Sequence, residues 1–245
     1  MPDLYSNTDD GSCIIGTQTS FANARDNDGS GGGASTNNAS TGAFILVSRS
    51  PTRSGGVSFT LTRSFMYFDT SGITGTVGSA KIKIFGKDHN DGSAIAVKST
   101  AFGGDGGTAL ASTDLNNIAG FSAGSSLDGL ATDYSLPITT TGYSTSGYND
   151  FTGTADLKAD MKNNDVVIIC FMDYTNDYLN SALTSNVTLN YGAFLTDNTG
   201  TSKDPYIEYE LASGYTHNVI GVAAANIGEV NAVATANIGK INSVD

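Results

Sequence analysis

Val57-Ser58-Phe59-Thr60-Leu61-Thr62-Arg63-Ser64-Phe65-Met66-Tyr67-Phe68, closed by the turn Asp69-Thr70-Ser71-Gly72, decides the fold. Its first half alternates apolar and polar side chains, the period-two signature of a half-buried strand. The same alternation returns in Ala80-Lys81-Ile82-Lys83-Ile84-Phe85, which reads as stopping at Gly86 and the polar loop Asp88-His89-Asn90-Asp91-Gly92. Val166-Val167-Ile168-Ile169-Cys170-Phe171-Met172 leaves no polar face and predicts a central strand buried on both sides.

Further strands are expected at Cys13 to Gly16, Gly42 to Ser48, Ala94 to Ala101, Tyr134 to Ile138, Thr184 to Leu189, Tyr191 to Leu195 and Tyr206 to Leu211. A long polar loop joins the first two of these. The one helix candidate is Ala155 to Lys162, at most two turns, with Leu157 and Met161 on one face. Composition agrees: 30 Gly with abundant Ser, Thr, Asn and Asp, against 4 Pro and no Trp, favours turns and strand faces over helix interiors. Eight to ten strands broken by turn signals predict an all-β, jelly-roll-like two-sheet sandwich over residues 1–212, with one short helix, a linker at 213–218 and a short β-repeat tail at 219–245.

The formal net charge of −12 repels phosphate backbones and anionic lipid, so neither nucleic acid nor a membrane is an expected partner. No window approaches the roughly eighteen apolar residues of a membrane span, and the opening Met1-Pro2-Asp3-Leu4-Tyr5-Ser6 has no signal-peptide character. A surface-type β protein without such a signal fits release inside a virus particle. Cys13 and Cys170 each sit in an apolar run, which leaves two states open, a pair of separate buried thiols or a disulfide between core strands.

The run Arg63 to Ile73, then Ser79 to Phe85, Tyr148-Asn149-Asp150-Phe151-Thr152 and Asp204-Pro205-Tyr206-Ile207-Glu208-Tyr209, resembles in order the framework segments of jelly-roll domains in tailed-bacteriophage structural proteins and some secreted carbohydrate-binding-like modules. The resemblance spans about residues 5–211 and implies a fold, not an activity. It implies Arg63 at a strand start near the sheet surface, Phe65 and Tyr67 on one face, and Met66 and Phe68 on the other.

The tail repeats with an 11-residue period: Val219, Val230 and Ile241 align, as do Val222, Val233 and Val244, and Ile227 with Ile238. A glycine in each repeat and frequent β-branched residues disfavour a helix, so each repeat reads as a short strand and a turn, breaking at Gly228-Glu229. Little more than two repeats cannot bury a continuous core alone. The expectation is that several tails, three as the leading count, intertwine into a homotrimer or dock on another virion protein. Ala236-Asn237-Ile238-Gly239-Lys240 is similar to repeats at the ends of phage virion proteins.

Motifs for catalysis are weak. His89 and His217 have no Ser or Cys nucleophile motif around them and read as solvated surface histidines. Asp26, Asp28, Asp88 and Asp91 lie in Gly-rich loops whose oxygen donors superficially suit a structural calcium ion, but the loops lack the bidentate Glu of an EF-hand and read first as plain turns. Tyr143, Tyr148, Tyr174 and Tyr178 join apolar area to a hydroxyl and suit either sugar stacking or core and rim packing. The leading expectation is a non-enzymatic phage virion structural protein, a capsid decoration or fibre-like subunit on the particle surface, without a cofactor. The alternatives are a carbohydrate-binding adhesion module for cell-surface glycan, and third a polysaccharide depolymerase using paired carboxylates.

Overall fold

The computed structural model describes residues 2–38, 41–195 and 202–212, together with 229–230 and 233–234 of the tail. The strands are β1 (Asp3–Tyr5), β2 (Gly11–Gln18), β3 (Ala34–Asn37), β4 (Thr41–Pro51), β5 (Val57–Asp69), β6 (Val77–Asn90), β7 (Ser93–Lys98), β8 (Ile138–Thr139), β9 (Tyr148–Thr152), β10 (Val166–Asp173), β11 (Val187–Phe194) and β12 (Tyr206–Leu211), with helices α1 (Phe21–Arg25) and α2 (Ala155–Asn163). All twelve strands belong to one antiparallel sheet running β1-β12-β6-β11-β4-β5-β10-β7-β8, with β2 on β5, β3 on β2 and β9 on β6. The sheet curls until its limbs face each other, an all-β, sandwich-like fold as the alternation predicts.

Two long strands make the curl by exchanging partners midway. On one edge β5 pairs β4 as far as Thr62 and β10 from Ser64 onward, while β2 runs along its other edge. Similarly, β6 pairs β12 and β9 up to Phe85, then β11 from Gly86 to Asn90. Gly86 is therefore a corner and not a stop. A side chain there would sit 1.9 Å from the Ser144 carbonyl and 2.9 Å from the Tyr143 ring, so only glycine allows the approach. The residues read as a polar loop, Asp88-His89-Asn90, continue the strand, and the turn is Asp91-Gly92 alone. Likewise Thr184 to Leu195 is not two strands but one, β11, with a bulge at Tyr191/Gly192.

Both faces of β5 and β10 are buried, each in its own core. Met66, Phe68, Val167, Ile169 and Phe171 face the inside of the curl against Ile82, Ile84, Phe151 and Ile207 of the opposite limb, with Leu157 and Met161 of α2 closing the end. Phe44, Phe151 and Phe171 meet there at ring distances of 4.8 and 5.3 Å. Phe65, Tyr67, Ile168, Cys170 and Met172 point the other way, into a second core with Phe21 and Ala24 of α1, Phe102, Leu115, Leu127 and Tyr178. Burying each such aromatic contributes roughly 1.5–3 kcal/mol.

The lid of this second core is the stretch from Phe102 to Ala131, mostly turns and 3₁₀ segments at Phe102–Gly104 and Ser112–Asn116. The long polar loop also carries structure, α1 capped by Ser20 and strand β3. Tyr134 to Pro137 forms no strand; only β8 follows, because Pro137 lacks the ladder donor.

Arg63 is not near the surface. It is fully buried in mid-strand at the partner exchange, on the second-core face of β5. Its Nε and Nη2 donate bidentately to Asp177 at 2.7 Å each, Nη1 donates to Leu115 O at 2.8 Å and to Asn116 Oδ1, and Nη2 donates to Arg25 O at 3.0 Å. Arg25, equally buried, donates from Nε to Asp177 O, from Nη1 to Asp26 Oδ1 and from Nη2 to Ser125 O, each at 2.7 Å. Phe121 lies 5.1 Å from the Arg63 guanidinium and 5.5 Å from that of Arg25. One knot thus ties β5, α1, the lid and the π-turn Tyr174–Tyr178.

Of the tail, Glu229–Val230 pairs antiparallel with Val233–Ala234 as β13 and β14, so Glu229 belongs to a strand and not to the break. Val219, Val222, Ile227, Ile238, Ile241 and Val244, the linker 213–218 and His217 lie outside the described residues.

Asp177→Asn leaves the buried Arg63 guanidinium with a neutral partner, while Arg25 keeps Asp26, and should cost about 3–5 kcal/mol. Urea denaturation checks this, and a loss below about 1 kcal/mol contradicts the knot's role.

Candidate functional site

The two outer faces of the sandwich differ. Beneath the lid, the outer face of the β2-β5-β10-β7 limb is the second core. No such layer covers the outer face of β1-β12-β6-β9 among the described residues, and there the strand alternation places aromatic and charged side chains. Ile82 and Ile84 of β6 point inward, so Lys81, Lys83 and Phe85 point out. In β9, Asn149 and Phe151 point inward, so Tyr148, Asp150 and Thr152 point out. Ile207 inward in β12 leaves Tyr206 and Glu208 outside.

Register then assembles a row. Tyr5 is paired directly with Tyr206, and Phe85 with Tyr148. The rings follow Tyr5, Tyr206, Tyr148, Phe85, Phe194 at centroid separations of 5.5, 5.0, 5.2 and 5.7 Å, three of the four contacts edge to face. Such contacts fix each ring against its neighbour. The Tyr148 hydroxyl donates to Asp204 O at 3.1 Å, and Tyr5 is 40% exposed. Lys203 Nζ closes the row, 4.1 Å from the Phe194 centroid and 5.3 Å from Phe85. Among the described residues no carboxylate lies within ion-pair distance of it.

A charged cluster lies alongside. Lys83 contacts Asp150 Oδ1 at 2.6 Å and Glu208 Oε2 at 3.5 Å, and Lys81 contacts Asp150 Oδ2 at 2.9 Å. Burial opposes the charge on Lys83, but the carboxylates outweigh it and hold its ammonium above the usual range. Asp150 mirrors this: burial raises its carboxyl, and the two lysines bring it below the ordinary value. A groove of ≈ 620 Å³ lined by Thr139, Thr141, Tyr148 and Asp150 opens beside the row. The arrangement offers apolar rings, fixed polar groups and an ammonium that, among the described residues, has no carboxylate partner, the chemistry of a binding face.

Most of the residues singled out from sequence lie elsewhere. Asp26 caps α1 and is bound by Arg25 and by Gly124 N at 3.0 Å; Asp28 accepts from Ser30 Oγ at 2.6 Å and Ser30 N at 3.0 Å. Asp88 accepts from Asn190 Nδ2 at 2.6 Å, and Asp91 from Gly92 N at 3.0 Å. Each serves a turn or a strand contact, and among the described residues no group of three or more His, Cys, Asp or Glu is gathered for a metal.

His89 does not sit in a solvated loop. It is a strand residue whose ring lies 4.9 Å from Tyr191 and 5.6 Å from Tyr143. Tyr143 and Tyr178 are buried, donating to Gly192 O at 2.7 Å and to Asp133 Oδ1 at 2.8 Å, and Tyr174 stacks on Tyr178. Of those four tyrosines only Tyr148 joins the row. Tyr5, Phe85, Phe194, Tyr206 and Lys203 are not singled out as site residues by the sequence, because they come from four separate stretches of chain. Their one signal is an aromatic at the outward position of an otherwise polar strand face, as in Lys81-x-Lys83-x-Phe85.

Cys13 and Cys170 are free thiols, both buried. Burial first, and the Asp114 charge second, push the Cys13 thiol up to about 12, and burial raises Cys170 well above its ordinary value. Neither is suited to nucleophilic chemistry. Asp173, buried at the head of the π-turn, is raised to about 6 by burial against the lowering effect of the Asn176 and Ser93 amides.

No protein-family model matches the chain, and no curated protein matches it.

Two predictions follow from the buried groups. With dithiobis(nitrobenzoate) at pH 8, neither thiol should react in the native protein and both should react in guanidinium; prompt native labelling contradicts the burial. Asp173 binds its proton more tightly in the folded chain, so its stabilisation is full below the ordinary value of 3.8 and is lost as pH rises through about 6. The stability of Asp173→Asn relative to the parent should therefore rise by on the order of 2–3 kcal/mol between pH 4 and pH 7, read from urea midpoints at the two values; no change contradicts the raised pKa.

Proposed function

We propose that the chain is a structural subunit of a bacteriophage particle surface, a capsid decoration or fibre-like protein. Its jelly-roll-like body faces outward, and its repeat tail trimerises it or anchors it to another virion protein. The observation that carries this reading is how the four framework segments meet. Tyr148 to Thr152 and Tyr206 to Tyr209 flank Ser79 to Phe85 as adjacent strands, in the register Thr152↔Lys81 and Glu208↔Lys81. Met66 and Phe68 of the first segment pack across the core against that sheet's inward residues. Segments that resemble a phage framework in order thus form one continuous scaffold.

A body of this kind suits a passive surface role. Its chemistry-bearing side chains are committed to structure: both arginines of the knot, both thiols, Asp26 and Asp173. No catalysis is proposed. The net charge of −12 suits a protein that contacts other proteins or glycans more than nucleic acid.

The aromatic row supports a second reading, binding of cell-surface carbohydrate by the same outward body. Rings held by their neighbours lose little freedom when a ligand stacks on them.

Light scattering tests the assembly role. The full chain should have three times its 25.2 kDa mass, while a chain ending at Ala212 should remain folded as a monomer. A monomeric full chain overturns self-assembly through the tail and leaves the body as an independent binding module.

A further inference from the structure

We infer that the outer face of β1-β12-β6-β9 binds a carboxylate-bearing polysaccharide, its sugar rings stacking along the aromatic row and one carboxylate taken by Lys203. This inference rests on the carbohydrate reading and adds to it the class of glycan. The row itself speaks for a chain ligand. Five rings from five segments stand 5.0–5.7 Å apart with most neighbouring planes near perpendicular, so a chain ligand lying along the row stacks on some ring faces and touches the edges between them. Their C–H faces are apolar while their edges carry hydroxyls, the pairing that a half-buried Tyr or Phe beside hydrogen-bonding groups accommodates. Asp150 and Lys81, both partly exposed, lie within the same face to accept and donate to those hydroxyls.

Charge selects the class. The protein as a whole is strongly acidic, and this face sets Lys81, Lys83 and Lys203 against Asp3, Asp150, Glu208 and Glu210, so a polyanion is held only beside a cation that no carboxylate already answers. The first two are committed to Asp150 and Glu208. Lys203 differs, since its ammonium rests on the Phe85 and Phe194 rings and, among the described residues, faces no carboxylate. An ammonium held on ring faces keeps its donors for an incoming anion. A neutral glycan leaves that charge unanswered, whereas a uronic acid residue at the end of the row pairs with it.

Affinity electrophoresis of the full chain in gels containing polygalacturonate or dextran tests the inference. Retardation by polygalacturonate and not by dextran is expected. Lys203→Gln should weaken retention by polygalacturonate about tenfold, the share of one charge-assisted hydrogen bond, and Tyr5→Ala, at the exposed end of the row, should weaken it as well. Both positions are partly exposed, so circular dichroism should show unchanged folding. Equal retardation by both polymers, or by dextran alone, overturns the acidic class while the carbohydrate reading stands. Retardation by neither overturns both. If neither polymer is retained and Tyr5→Ala changes the solution mass, the face is an interface between copies, and the inference fails.

Discussion

A guanidinium in the middle of a sheet face is tolerated only when all its N–H donors are met, and Arg63 is placed where β5 changes neighbours. No single secondary-structure element can supply that many acceptors. The chain recruits them from far apart: a carboxylate after β10, two carbonyls and an amide oxygen from the lid and α1. The demand of one side chain therefore fixes where three irregular segments must lie. The second core is in turn buried only because those segments are held over it. Arg25 reinforces the arrangement by donating to the backbone of the same turn and the same lid.

This explains which parts of the fold were legible in the sequence. β10 and β12 were legible to within a residue, because a run apolar at every position has only one place in a sandwich and Tyr206 to Leu211 alternates cleanly. The opposite faces of Phe65 and Met66 were legible for the same reason, since alternation is a local property. Gly86 was misread because a glycine in a strand ends it or bends it, and the difference lies in the Ser144 carbonyl that packs on it from a distant segment. The burial of Arg63 is not local information: the resemblance implies a place near the sheet surface, and the partner that permits burial, Asp177, is 114 positions away. The lid has no period at all; its order comes from Arg63, Arg25 and the apolar residues beneath it.

The candidate site divides in the same way. Tyr148 was among the tyrosines singled out, yet nothing local distinguishes it from Tyr143 or Tyr178, which are buried. What separates them is the register of β9 on β6, a nonlocal fact. Lys203 stands outside any strand, and its role follows only from the two rings it touches. The aspartates of the Gly-rich loops show the converse. Their spacing suits an ion, but each carboxylate already answers a backbone amide or a neighbouring side chain, as such residues commonly do in turns.

The pairing of Asp3 to Tyr5 with Tyr206 to Glu208 has a consequence for how the molecule is made. Strand β1 has no partner until β12 has been synthesised, so the body completes this edge only after every other strand of the sheet has been made. Contacts this distant in sequence fold slowly, and an unpaired strand is exposed to neighbouring chains in the meantime. Lys81 and Lys83 on β6, which waits for that twelfth strand, place charge where a premature partner would approach. The final stitch joins the beginning of the body to its end, and with it Tyr5 takes its place beside Tyr206.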